Sequence, residues 1–171
     1  MRIFFPILIF FVSVSVFSQV NVFDVARRGT VAEMKMILSN NPELIDAVSP
    51  QGFTPLILAC YNGNELVAIY LVENKANLNF NSSNGTALMA AVVKNNKKIA
   101  SLLLEAKANA NLQDGNGYTA LHYAIQFRNY EMITLLMQFQ VNIHIKDNME
   151  MSVADYAIKL KDEQIQHLLK L

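Results

Sequence analysis

The sequence predicts an all-α solenoid of stacked antiparallel helix pairs with short β-turn fingers, on three observations. A short signature returns at Thr54-Pro55-Leu56, Thr86-Ala87-Leu88, Thr119-Ala120-Leu121-His122 and, in degenerate form, Ser152-Val153-Ala154, in steps of 32, 33 and 33 residues. Each signature opens an apolar run at helical spacing, and a second apolar stripe follows a short break. A fixed period of this size marks a chain built from copies of one small unit. Such a stack offers an extended recognition surface and needs no pocket, which moves the expected function from catalysis towards binding.

Taken in order, the chain begins with a segment unlike the rest. Arg2 is the one charge before Asp24, residues 3–16 form an apolar run, and Val16-Phe17-Ser18 ends it on a small residue. A basic start, an h-region of about 14 residues and a small-residue site are the order of a secretory signal, with cleavage after Ser18. A spanning helix needs about 20 apolar residues, and Ser13, Ser15, Ser18 and Gln19 interrupt this run. An uncleaved anchor is the alternative. With no cysteine near the site, a lipoprotein is not expected.

The remaining residues suffice for one domain. The chain has 14 basic and 14 acidic side chains, so no charge excess draws it to nucleic acid or an anionic membrane. Lys94, Lys97 and Lys98 form the one basic cluster and read as a solvated corner. Cys60 is alone, which excludes an intramolecular disulfide, and it shares the small apolar slot of Val92 and Ile125.

In the second unit Thr54 is a helix N-cap and Pro55 fits the first helical position, where it has no N–H to lose. Leu56, Ala59 and Cys60 recur at helical spacing, and Asn62-Gly63 breaks the chain so that a second helix can return. Its buried stripe is Val67, Leu71 and Val72, matched by Ile99, Leu103 and Leu104, then by Met132, Leu136 and Met137. One hairpin alone has too little apolar area to fold, and stacking supplies the rest.

With these residues in place the chain resembles the ankyrin repeat, whose 33-residue unit of a turn and two helices includes Thr-Pro-Leu-His. Thr119-Ala120-Leu121-His122 is the closest copy, and the ends Ala76-Asn77-Leu78-Asn79 and Ala108-Asn109-Ala110-Asn111 also fit. Residues 22–46 resemble an amino-terminal cap. Residues 152–171 resemble a closing cap with Lys159, Lys161, Glu163, Gln166 and Lys170 towards solvent. The implied division is a signal over 1–18 and one domain over 19–171, with units at about 19–48, 49–81, 82–113, 114–146 and 147–171. Two departures stand out. Lys75, Lys107 and Gln140 occupy the place after the second helix where the family has Gly, at a cost of about 1 kcal/mol each or with a rearranged cap. The third unit is one residue short between Ser82 and Thr86, which predicts a shorter finger.

Motifs for chemistry are weak. Gly115-Asn116-Gly117-Tyr118-Thr119-Ala120 imitates a dinucleotide fingerprint, but no buried strand precedes it. His122, His144 and His167 have no ligand spacing, and the family resemblance makes His122 structural. Ser152, His122 and Asp155 give the letters of a triad, yet Ser152 is better used as a cap. No cofactor, metal or catalytic residue is implied. Asn81-Ser82-Ser83 and Asn84-Gly85-Thr86 match a glycosylation pattern that matters only in a eukaryotic host, and the short signal favours bacterial export to the periplasm or medium.

The resemblance implies that a partner protein sits on the concave surface, against turn tips and first helices. Carried over by position, the candidate residues are Phe53, Tyr61, Asn62, Lys94, Tyr118, Gln126, Phe127 and Met151. For Phe53, Tyr61, Tyr118 and Phe127 two readings stand: binding hot spots, or packing between adjacent turns. The expected protein is a monomeric, non-enzymatic binding module that contacts neither nucleic acid nor, after signal cleavage, membrane. A tethered scaffold that keeps residues 1–18 is the alternative, and an enzyme with a divergent site is a third.

Overall fold

A computed structural model describes residues 21–171, so the expected signal over 1–18 lies outside the described residues. Five helix pairs follow one another: α1 (Val22–Arg28) with α2 (Val31–Asn40), α3 (Pro55–Asn62) with α4 (Glu65–Glu73), α5 (Ala87–Val93) with α6 (Lys97–Glu105), α7 (Ala120–Gln126) with α8 (Tyr130–Met137), and α9 (Val153–Leu160) with α10 (Glu163–Leu169). A 3-10 helix over Pro42–Asp46 links the first pair to the second. The described residues contain no β-strand beyond two isolated bridges, Ser82 with Gly85 and Lys146 with Ser152.

None of these helices exceeds ten residues, too short to be stable alone in water, so the stack must hold them. The first helices pack in the order α1, α3, α5, α7, α9, and the second helices in the order α2, α4, α6, α8, α10. Leu56, Leu88 and Leu121 sit inward between neighbours at 1 % exposure each. Val67, Leu71, Ile99, Leu103, Leu104, Met132 and Leu136 are buried as the stripes predict, whereas Val72 and Met137 are only half-buried at the edge of the core. Cys60 is fully buried, and burial pushes its thiol far above the usual range, so it acts as a small core residue.

The four recurrent caps start helices as the signature requires, three through their hydroxyls and the fourth, Thr119, through its N–H to His122 Nδ1. Thr54 Oγ1 accepts from Ile57 N at 3.3 Å, Thr86 Oγ1 from Met89 N at 3.3 Å, and Ser152 Oγ from Asp155 N at 3.2 Å. Asp155 Oδ2 in turn accepts from Ser152 N at 2.8 Å, which closes a capping box, and its bonds from the Ser152 hydroxyl and N–H hold the carboxyl below its usual range. The second helices have caps the sequence reading passed over: Asn96, Asn129 and Asp162 accept from Ile99, Met132 and Ile165. Asn64 turns its amide back to the Gly29 carbonyl at 2.9 Å and ties the second pair to the first.

A polar spine joins the units. Asp46 accepts from Asn77 N at 2.7 Å, Asn79 from Asn109 N at 2.8 Å, and Asn111 from Asn142 N at 2.7 Å. These bonds cross from one unit to the next at the exposed edge of the stack, which gives the asparagines a structural use.

Lys75 and Lys107 take the left-handed backbone expected of them, at φ 68° and 73°. Gln140 does not; the fourth unit leaves α8 through tight bonds from Phe139 N to Leu136 O and Val141 N to Phe139 O, the rearranged cap. Gln166 is half-buried and donates to Ala157 O at 3.3 Å, so it belongs less to the solvent face than expected.

Candidate functional site

Fingers and first helices together make one face of the stack, here called the inner face. Each finger is a turn that closes on itself: Ser49 N to Phe53 O, Asp114 N to Tyr118 O and Asp147 N to Met151 O, all at 2.9 Å. The third finger is shorter, as the missing residue requires, with Ser82 N bonding Gly85 O at 3.3 Å. Adjacent fingers are bonded too, through Gly115 N to Ser83 O at 2.9 Å and Asn148 N to Asn116 O at 3.1 Å. Gly117 is required here: its φ is +80°, and a Cβ would lie 2.8 Å from Asn148 N.

The inner face divides into two parts. Towards the amino terminus a hollow of about 520 Å³ runs across α1, α3, α5 and α7. Ile57, Leu58, Met89 and Ala90 form its buried floor, with Phe53, Tyr61, Val93 and Tyr123 around them. Arg27 is its one charged lining residue among the described residues, bonded to Asp24 at 3.1 Å. Lys94 Nζ lies 4.1 Å over the Tyr61 ring, a cation–π contact at the rim.

Towards the carboxyl terminus the same face is braced. Tyr123 donates to Asp114 Oδ2 and Tyr156 to Asp147 Oδ2, each at 2.5 Å. The other oxygen of each carboxylate serves its own finger: Asp114 Oδ1 accepts from Asn116 N and Tyr118 N, and Asp147 Oδ1 from Met149 N and Met151 N. Burial works to raise the Asp147 pKa, but the Tyr156 hydroxyl and the Met151 and Met149 amides outweigh it and hold the carboxyl below its usual range. Burial and the Asp114 bond push Tyr123 far up, and the Asp147 bond does the same to Tyr156. The Tyr123 and Tyr156 hydroxyls therefore keep their protons, each directed at a finger-base carboxyl oxygen.

Tyr118 stacks on His122 at 5.4 Å with rings 6° apart, and its hydroxyl lies 3.3 Å from that of Tyr156. His122 Nδ1 accepts from Thr119 N at 3.1 Å, which fixes the ring as a helix-start brace. Its buried Nε2 has no partner of good geometry, although the Met151 carbonyl acts on the ring, and burial depresses its pKa. His122 also lines a second hollow of about 360 Å³ with Lys159, Gln126 and Tyr118, which brings an imidazole beside an inner-face cation. With one nitrogen bonded and the other buried, that imidazole has no free face for acid–base chemistry.

The candidate residues are therefore dispersed. Phe53, Tyr61 and Asn62 line the first hollow, and Lys94 caps it. Tyr118 and Gln126 line the second. Phe127 is 55 % exposed and stacks on Tyr123 at 6.4 Å. Met151 is half-buried and contributes its backbone to the last finger. Asn62 is exposed, with its amide bonded to Leu58 O at 2.8 Å. The triad letters stay apart in function, since Ser152 Oγ bonds Asp155 and His122 bonds Thr119. No group of His, Cys, Asp and Glu that could hold a metal is found among the described residues, and none of their helices is long and apolar enough to cross a membrane.

The Asp–Tyr pairs escaped the sequence reading. The signal was present: Asp114 and Tyr123, then Asp147 and Tyr156, keep one nine-residue spacing and recur at the repeat period.

Comparison with known families gives two matches. A three-copy ankyrin-repeat model matches residues 22–114, and a many-copy ankyrin-repeat model matches residues 103–157. No curated protein shows a significant match to the chain. Helix pairs, fingers and family matches agree: the chain belongs to the ankyrin-repeat family, whose members are generally non-enzymatic scaffolds for protein–protein interaction.

Proposed function

We propose that the chain is an exported, non-enzymatic module that binds one partner protein on the inner face as a monomer. The observation that carries this reading is a preformed apolar hollow across four units with exposed aromatic side chains at and beside it, Tyr61 at 48 % and Phe127 at 55 %. Aromatic side chains that remain exposed on a rigid scaffold supply contact area at low entropic cost and are common binding hot spots. A five-unit stack can offer the roughly 800 Å² per partner that a specific interface needs. Export is supported by the order of charge, apolar run and small residues over 1–18.

The test is capture of the partner from the envelope fraction of the native host. Tyr61→Ala with Phe127→Ala is expected to weaken capture by about 2 kcal/mol or more with little change in melting temperature. Tyr118→Ala, which removes a stacked and bonded ring, is expected to lower the melting temperature instead. Unchanged capture by the double variant rejects the inner-face reading. The intact mass of the native protein is expected to begin at Gln19, and a mass that retains residues 1–18 rejects cleavage.

A further inference from the structure

We propose that the hollow over Ala90 is an anchor pocket for a protein segment that inserts one apolar side chain and carries a carboxylate beside it for Lys94. This rests on the reading that the inner face binds protein and narrows it to one place and one chemistry.

The hollow exists because the third unit lacks side chains its sisters have. Four residues after the cap, the units place Leu58, Ala90, Tyr123 and Tyr156; just before the cap they place Phe53, Gly85, Tyr118 and Met151. The third unit is small at both positions. Met89 occupies part of the freed space, since a Cβ on Gly85 would lie 2.5 Å from its sulfur. The floor is already packed, with Ile57, Leu58, Met89 and Ala90 between 2 % and 7 % exposed. What remains above it is a preformed depression of about 520 Å³, and an apolar side chain entering there displaces water from apolar surface without opening the core.

Charge selects the flanking group. Lys97 bonds Glu131 at 3.4 Å and Lys98 bonds Glu65 at 2.8 Å, but Lys94 has no ion-pair partner among the described residues and rests on the Tyr61 ring. No carboxylate lines the hollow among the described residues. A carboxylate next to the inserted side chain meets Lys94 unpaired, whereas a basic segment faces both Lys94 and Arg27. The lining comes from four first helices, α1, α3, α5 and α7, and from two fingers through Gln51, Phe53 and Asn84, so the depression is a trough across the stack that suits a passing chain better than an isolated small molecule.

Three substitutions read the proposal with little risk to the fold. Ala90→Tyr fills the hollow with the residue that units four and five already carry there. Val93→Lys puts a charge on its wall where those units have Gln126 and Lys159. Lys94→Glu reverses the rim. Twelve-residue peptides are selected from a random display library on the purified full chain, synthesised, and titrated calorimetrically against each variant. Expected are peptides with an apolar residue close to Asp or Glu, weakened at least tenfold by Ala90→Tyr and by Val93→Lys. Lys94→Glu is expected to weaken them and to favour copies in which the acidic residue is replaced by Lys. Selected peptides without acidic residues, indifferent to Lys94→Glu, overturn the charge assignment. Peptides weakened by Gln126→Arg but not by Ala90→Tyr overturn the anchor and leave the inner-face reading standing. Peptides indifferent to these three substitutions and to Gln126→Arg, which probes the second hollow, or a selection that yields none, overturn the inner-face reading as well.

Discussion

Units two and three and units four and five share one backbone plan yet finish their inner faces in opposite ways. In the later pair the finger base is an aspartate, Asp114 or Asp147, whose carboxylate holds two finger amides and a tyrosine hydroxyl from the first helix. In the second unit the same place holds Ser49, whose hydroxyl accepts from Phe53 N at 3.1 Å, and Leu58 stands where the tyrosine would be. The third unit has Ser82 and Ala90. Where the carboxylate is present, the tyrosine is pinned to the finger base and a smaller hollow of about 360 Å³ remains; where it is absent, aromatic rings stand beside an open hollow of about 520 Å³. One repeated fold can thus hold a stiff end and a receptive end, and the choice rests on two positions per unit.

The core beneath does not share this difference, and that sets the largest expected effect. Leu88 and Leu121 hold the same inward position on either side of the divide, each 1 % exposed with units packed on both sides. Truncation of either to Ala should cost about 2–5 kcal/mol in denaturant unfolding, with the loss spreading into adjoining units. Similar losses at both sites would confine the asymmetry to the surface. A loss below about 1 kcal/mol at either site would break the common register on which the comparison depends.

The finger bases test the asymmetry itself. Asp114→Ala strands two amides and the Tyr123 hydroxyl, and bonds to a charged group are the stronger kind, so the cost should be about 2 kcal/mol. Ser49→Ala removes one neutral bond and should cost about 1 kcal/mol or less. Chemical denaturation of the two variants side by side checks the order. Equal losses would show that the carboxylate braces no more than the hydroxyl.

How much of this was legible follows from what repeats. Caps at Thr54, Thr86 and Ser152, the core leucines and the shortened third finger were readable, because period and helix chemistry act within one unit. The two-part inner face is harder to read, because the Asp–Tyr pairs that brace it join a finger to a helix nine residues on, outside helical spacing, and contacts across units such as Tyr118 with Tyr156 add to them. Tyr118 and Phe127 look alike as aromatic residues near the turn, yet Tyr118 is half-buried and hydrogen-bonded while Phe127, though stacked on Tyr123, is 55 % exposed. The second-helix caps hid in the high asparagine content. Ala90 gave no signal by itself and gains meaning only beside Tyr123 and Tyr156 in register.

Acid should weaken the braced end first. Burial depresses the pKa of His122 in the folded chain, so between that lowered value and the unfolded value near 6.5 the unfolded chain binds more protons. Its neutral form is fully compatible with the fold above the unfolded value, and stability falls as pH drops below it. Asp147, also depressed, adds a second loss at lower pH, since its contribution is present above the unfolded carboxyl value and disappears as pH falls through the folded one. Melting temperatures at pH 7.5 and pH 5.5 should therefore differ more for the unaltered chain than for His122→Asn, which retains an acceptor for Thr119 N. An equal pH effect in both proteins would take His122 out of the acid response.

The smallest effect concerns the ends of the second helices. Lys75 and Lys107 hold left-handed backbone at φ 68° and 73°, which brings Cβ close to the following carbonyl and strains any residue but Gly. Gln140, at the same register, escapes through the rearranged exit from α8. Lys107→Gly should therefore stabilise the chain by up to about 1 kcal/mol, the strain released less the extra entropy that Gly brings to the unfolded state. Gln140→Gly has no strain to release and should be neutral or mildly destabilising by the same entropy. Paired denaturation curves measure both. A gain at Gln140 equal to that at Lys107 would mean that the exit of the fourth unit is strained like the others, and that the two ends of the stack differ on the inner face alone.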